Sequence, residues 1–120
     1  HGERALQLHA VNAAQLREHL ARGAELHLIH VLPKVAFDKA HIAGSAHISF
    51  YDDDFLELVA ALAPDKGEML VVYCLSAGCN ASAKAAAKLS EAGYTNVFDF
   101  EGGVDEWEAT GNPVVRRRSR

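Results

Sequence analysis

Residues Val71 to Gly103 read VVYCLSAGCNASAKAAAKLSEAGYTNVFDFEGG. An apolar run ends at Cys74, a small-residue loop follows, and an alanine-rich segment leads to a second apolar run and a Gly-Gly turn. The continuous apolar stretch Met69 to Tyr73 suits a central strand covered on both faces. The segment from Ala81 to Ala92 predicts a helix whose small side chains pack close to a sheet, with Lys84, Lys88 and Glu91 left to water. Gly93 stops it, and Val97 to Phe100 reads as the next strand. This order puts a thiol at the carboxyl end of a buried strand and at the mouth of a helix, where open α/β sheets bind their ligands. Cys74 is therefore a candidate nucleophile.

Upstream, Asn12 and Gln15 have the spacing of a capping box, and Val11 with Leu16 that of a hydrophobic staple. Leu16 and Leu20 are expected to face inward, and Gly23 to end the helix. Leu26 to Val31 reads as a strand, Val35 to Lys39 as a short helix, and Ala46 to Phe50 as a brief strand. Asp52, Asp53 and Asp54 offer caps for a third helix. Its apolar stripe is Phe55, Leu58, Val59 and Leu62, at i, i+3, i+4 and i+7. Pro64-Asp65-Lys66-Gly67 is a turn by composition. Val104 to Ala109 predicts a last short helix with Trp107 buried. Strands alternating with helices over short connections imply right-handed crossovers, hence an α/β fold with an open, mainly parallel sheet and helices on both faces.

The chain has 120 residues, 49% apolar and 23% charged, which fits one soluble domain with a core of its own. The expected division is a single domain over 1–115 and a basic tail over 116–120. A formal charge of −4 argues against nucleic acid or an anionic membrane as principal partner, and the arginines of the tail read as a solvated end. No apolar run approaches the ~18 residues that span a bilayer. No secretory signal is legible, although the chain opens on His1 rather than Met, as one with a removed leader or a trimmed end would. A cytoplasmic location is the expectation. The two cysteines, Cys74 and Cys79, make no disulfide framework and share one loop, which points to reactivity.

A cysteine attacks as its thiolate. The loop Leu75, Ser76, Ala77, Gly78, Cys79, Asn80 and Ala81 could supply a cradle of inward backbone N–H groups, reinforced by the helix that follows. Such a cradle suits a thiolate, a persulfide or a small oxyanion. Against this stands the plain alternative that Cys74 is a small buried residue ending a core strand. Cys79 is either a packing residue or a resolving thiol for an oxidised or persulfidated Cys74. His41 reads as a supporting residue whose ring bonds nearby backbone, and Lys84 as a cation that supports the loop only by reaching back towards it. His9, His19, His27, His30 and His47 show no metal spacing, and the cysteines lack a zinc pattern. No metal or cofactor is expected. Gly102-Gly103 reads as a backbone turn, because the G-x-G-x-x-G pattern is missing.

Nearly the whole chain resembles a single-domain rhodanese-like protein. The landmarks are Leu28-Ile29-His30-Val31, then His41-Ile42-Ala43-Gly44-Ser45-Ala46, Tyr73-Cys74 at a strand end, and Gly93-Tyr94 with Val97. Glu101-Gly102-Gly103-Val104, Trp107, Gly111 and Pro113-Val114 close the pattern. The resemblance implies the rhodanese-like fold and a sulfurtransferase that takes sulfane sulfur on Cys74 as a persulfide and passes it to a thiophilic acceptor. A small sulfur donor, a thiol acceptor and an acceptor protein are the implied partners. The active-site loop is atypical. Leu75 stands where the family often has Arg, no Arg occurs between Cys74 and Gly93, and with Ser82-Ala83 taken as the family's Ser-Ala pair the loop is two residues longer than the common one. His30-Val31-Leu32 replaces the family's Asp-Val-Arg. Without bidentate guanidinium contacts a dianion should bind weakly, which also counts against a phosphatase or arsenate reductase of related fold. The competing function is a non-catalytic rhodanese-like binding or redox-sensing module using Cys74 and Cys79.

Overall fold

The computed structural model describes residues 9–116. Its central sheet holds five strands, β1 (His9–Val11), β2 (Leu26–His30), β4 (Ala46–His47), β5 (Met69–Tyr73) and β6 (Val97–Phe100). They lie in the order β1-β6-β5-β2-β4, and every pairing is parallel. The connecting helices are α1 (Ala13–Ala21), α2 (Lys34–Lys39), α3 (Phe55–Leu62) and α4 (Ala81–Glu91), with α5 (Gly103–Ala109) after the last strand. A small antiparallel pair joins β3 (His41–Ile42) to β7 (Val114–Val115). The short β1 and the β3–β7 pair are elements that hydrophobic periodicity did not announce.

The alternation of a strand sorts the core into two layers. Leu70, Val72 and Cys74 face one way, among Phe55 and Val59 of α3 and Ala85 and Leu89 of α4. Val71 and Tyr73 face the other way, among Leu16 of α1 and Val104 and Trp107 of α5. Both faces of the central strand are thus covered, which is why it reads as unbroken apolar sequence.

Helix starts follow local chemistry unevenly. Asn12 and Gln15 form the full capping box of α1. Asp54 precedes α3 but makes no side-chain cap bond; the Phe55 amide instead donates to the Asp52 carbonyl at 3.1 Å. The buried stripe of α1 is Ala13 and Leu16, whereas Leu20 is 40% exposed. The strand expected over Ala46 to Phe50 is shorter, yet the Ile48 and Phe50 amides still donate to the His30 and Val31 carbonyls. Of the expected basic tail, Arg116 makes two bonds to the Glu108 carboxylate, at 2.7 and 2.8 Å. The rest, residues 117–120, lies outside the described residues.

Candidate active site

The chain leaves β5 towards the face covered by α4 and leaves β6 towards the face covered by α5. Neighbouring strands whose connections part in this way open a crevice at their carboxyl ends. Cys74 stands at that point. The first turn of α5 fixes the start of the loop, because the Val104 amide donates to the Cys74 carbonyl at 3.2 Å and the Asp105 amide to the Leu75 carbonyl at 2.9 Å. Gly103 makes this approach possible. Its φ is +61°, and a Cβ there would run into the Cys74 carbonyl. The Gly102-Gly103 turn thus serves the cysteine's backbone.

The loop Leu75 to Asn80 then curls through a turn in which the Cys79 amide donates to the Ser76 carbonyl at 3.1 Å. Ala77 and Gly78 are exposed at its crest, while Leu75, Ser76 and Cys79 are half-buried. Leu75 packs against the α1/α5 layer and Cys79 against the α3/α4 layer. Ala81 is buried at the start of α4.

Two residues act on the ionisation of the Cys74 sulfur, Ser82 at the start of α4 and Cys79 in the loop. Both cysteines are free. Cys74 is 1% exposed, and burial is the main reason its thiol is pushed up to about 12. The Cys79 thiol adds to the rise, and Ser82 opposes it without offsetting it. The resting site therefore holds a neutral thiol. The polar neighbours of the sulfur are thus Ser82, in the first turn of α4 and beyond the expected loop, and a second thiol, Cys79.

His41 and Lys84 occupy different settings. His41 Nδ1 lies 2.9 Å from the Phe37 carbonyl, and its ring stacks on Phe37 with centroids 3.8 Å apart. Its role as a local backbone partner is therefore served by α2. Lys84 is exposed on the first turn of α4. Lys88 points over the Phe50 ring at 5.7 Å. His30 is buried, with Nε2 3.2 Å from the Ala40 carbonyl, and the Leu32 amide donates to its Nδ1 at 3.4 Å. These contacts select the neutral ring protonated on Nε2. Burial holds the His30 pKa down to about 4.

Asp99 was not singled out from the sequence, although it belongs to the site. It is 6% exposed, lies on the α4 side of β6, and has its carboxyl pushed up by burial, with Ser82 opposing the rise. Its Oδ1 is buried without a partner. The available signal was an acid inside the apolar run Val97-Phe98-Asp99-Phe100, at a position the strand period turns towards a helix. Among the described residues no three His, Cys, Asp or Glu side chains are grouped to hold a metal. No described helix is long and apolar enough to cross a membrane.

Comparison with known proteins agrees with this architecture. The sequence pattern of the rhodanese-like domain matches residues 12–110. The chain is 34% identical over 100 residues to the adenylyltransferase and sulfurtransferase UBA4 of Lodderomyces elongisporus, covering 78% of this chain but only 20% of that protein. It is 30% identical over 101 residues to the thiosulfate sulfurtransferase GlpE of Ectopseudomonas mendocina, covering 83% of this chain and 84% of the relative. Among solved structures, a thiosulfate sulfurtransferase from Pseudomonas aeruginosa superposes with a TM-score of 0.79 at 27% identity, over 90% of this chain and 20% of that one. With a parallel sheet of this order, a cysteine at the carboxyl end of its central strand and a family match over most of its length, the chain belongs to the rhodanese-like family.

Proposed function

We propose that the protein is a sulfurtransferase that carries sulfane sulfur as a persulfide on Cys74 and delivers it to a thiophilic acceptor. The observation that carries this reading is the setting of the Cys74 sulfur. It stands at the carboxyl end of β5, before the start of α4, where Ser82 opposes the rise that burial gives the thiol. In the forward step Cys74 loses its proton and its sulfur attacks the sulfane sulfur of a small donor. The donor's S–X bond breaks, and X leaves with the electron pair. An acceptor thiolate then attacks the outer sulfur of the persulfide and releases Cys74 as a thiolate. Ser82 stabilises the anionic sulfur in both half-reactions, as an oxyanion-hole donor does.

Two features shape the chemistry. Because Cys74 is buried, a donor has to reach it past the exposed loop crest at Ala77 and Gly78. Because the loop has no Arg, a polysulfide or a persulfide of a small thiol suits the site better than the thiosulfate dianion. Intact-mass measurement after exposure to each donor tests both points. One added sulfur is expected, more from polysulfide than from thiosulfate, and none in Cys74→Ala. A wild-type protein that gains no sulfur from either donor would end the proposal.

The contact between the Cys79 and Cys74 thiols favours a second reading, in which Cys79 resolves an oxidised Cys74 and the domain senses oxidant. Peroxide followed by thiol counting separates the two. Rapid loss of both thiols as a disulfide supports sensing, and persistent free thiols exclude it.

A further inference from the structure

We propose that the cavity between the edge strand β1, the end of β6 and helix α4 binds a primary ammonium head, held on the Asp99 carboxylate. About 110 Å³ of space is bounded there by His9, Ala10, Ala83, Ala86, Asp99 and Glu101. None of the loop residues from Cys74 to Ala81 lines it, so the inference stands apart from the sulfur chemistry.

Short side chains make the space. β1 lies at the sheet edge, and Ala10 pairs with Asp99 in parallel register. Val11 and Phe100, one residue further along, belong to the α1/α5 layer, so Ala10 and Asp99 are turned towards α4. Ala83 and Ala86, three apart, share the face of α4 that covers them. Longer side chains at these three alanines would close the gap. As it stands, the floor is Ala86 and Asp99, both buried, and the rim is His9, Ala10, Ala83 and Glu101, all exposed.

The floor carries the chemistry. Asp99 is 6% exposed, and its Oδ1 is buried without a hydrogen-bond partner, which calls for a reason. Among the described residues no lysine or arginine pairs with Asp99 or Glu101. Burial raises the Asp99 carboxyl above its ordinary range, and the Glu101 charge adds to the rise. A cation on the floor would supply the missing counter-charge. The described residues group no three His, Cys, Asp or Glu side chains to hold a metal, so the cation is one that donates N–H. A single orphaned oxygen suits the point donor of an ammonium better than the fork of a guanidinium. The ammonium donates to Oδ1 in a charge-assisted bond, Glu101 adds a second negative charge at the rim, and the alanine methyls receive a short apolar stem. The space admits several waters, hence an ammonium head and a few carbons.

The test titrates the full chain with methylammonium and follows backbone amide resonances by NMR. Tetramethylammonium, a cation without N–H donors, keeps the ionic strength constant. Saturable shifts are expected at Ala10, Ala83, Ala86 and Glu101. A ligand of two heavy atoms binds no tighter than a few millimolar, so the titration extends well beyond that. Methanol, of similar size and uncharged, should cause no saturable shift. Asp99→Asn keeps the shape, removes the charge and should weaken binding at least ~10-fold. Ala83→Leu puts a good helix former at an exposed position and should abolish binding by filling the mouth. Absence of saturable shifts, equal binding of methanol, or binding unchanged in either variant overturns the proposal. If Asp99→Asn does not fold, Ala83→Leu decides alone. Butylammonium and Nα-acetyl-lysinamide carry the same head on stems of equal length: tighter binding of the first identifies a free amine as the source, and tighter binding of the second a protein lysine. No sulfur donor is present, so these outcomes are independent of whether a persulfide forms on Cys74.

Discussion

A buried side chain that titrates writes its presence into the pH dependence of stability, and His30 is the clearest case here. Folded, its pKa is held down to about 4 by burial; unfolded, it lies near 6.5. Between those values the unfolded chain holds more protons than the folded one, so stability falls as pH falls. The loss by pH 4 is about 3 kcal/mol, taking ~1.4 kcal/mol for each unit, and it levels off only below the folded pKa. Denaturant unfolding from pH 7 to pH 4 measures it, and His30→Gln, which cannot titrate, should show a curve flatter by about that amount. A slope that survives the substitution would assign the acid sensitivity to other groups. The same residue shows why single positions are hard to read from sequence. His30 stands in place of a common acidic residue, yet its structural role depends on Tyr73, whose ring lies 4.9 Å away, and on the Ala40 carbonyl. Both partners come from elsewhere in the chain. Asp99 escaped notice for the same reason, since its meaning depends on Ser82, seventeen positions earlier and on another element.

At the scale of elements, the strongest signals were those generated within one segment. The capping box of α1, the span of β5, the span of β6 and the glycine stop after α4 each depend on neighbouring residues, and each was legible. The Asp52 to Asp54 run advertised a cap that the backbone at Asp54 does not use, because φ −97° and ψ 21° depart from the extended conformation in which a cap side chain reaches back. The β3–β7 pair could not be seen, because it is held by register between distant two-residue strands. The loop lies between these cases: its small residues were legible, but its docking on α5 was not. That docking yields a prediction. Gly103→Ala places a Cβ against the Cys74 carbonyl at a residue with φ +61°, a strain on the order of 1–3 kcal/mol. Thermal unfolding should show that loss. Persulfide formation should fall as well, because the Cys74 carbonyl loses the Val104 amide. A Gly103→Ala protein with wild-type stability and full sulfur loading would mean that the α5 turn does not hold the site.

Across the whole molecule, one sheet divides two apolar layers, and the candidate site belongs mainly to one of them. Leu89 of α4 and Cys74 share the α3/α4 layer, whereas Leu16 of α1 lies in the α1/α5 layer. Both leucines are fully buried, so truncating either to alanine should cost about 2–5 kcal/mol. Their effects on the thiol should differ. Leu89 anchors the helix whose first turn carries Ser82, so its loss should let α4 shift and open Cys74 to reagent by local fluctuation. Leu16 supports the opposite face and meets the site through Leu75, which packs on the same layer, and through α5, to which α1 is joined by the Ala13 amide and the Glu106 carboxylate at 2.6 Å. Under native conditions, iodoacetamide should therefore label Cys74 several-fold faster in Leu89→Ala than in Leu16→Ala, at matched global stability. Equal labelling of the two variants would show that thiol exposure follows global unfolding and that the two layers act as one cooperative unit. Faster labelling in Leu16→Ala would instead make the α5 turn, rather than α4, the part that keeps the thiol closed.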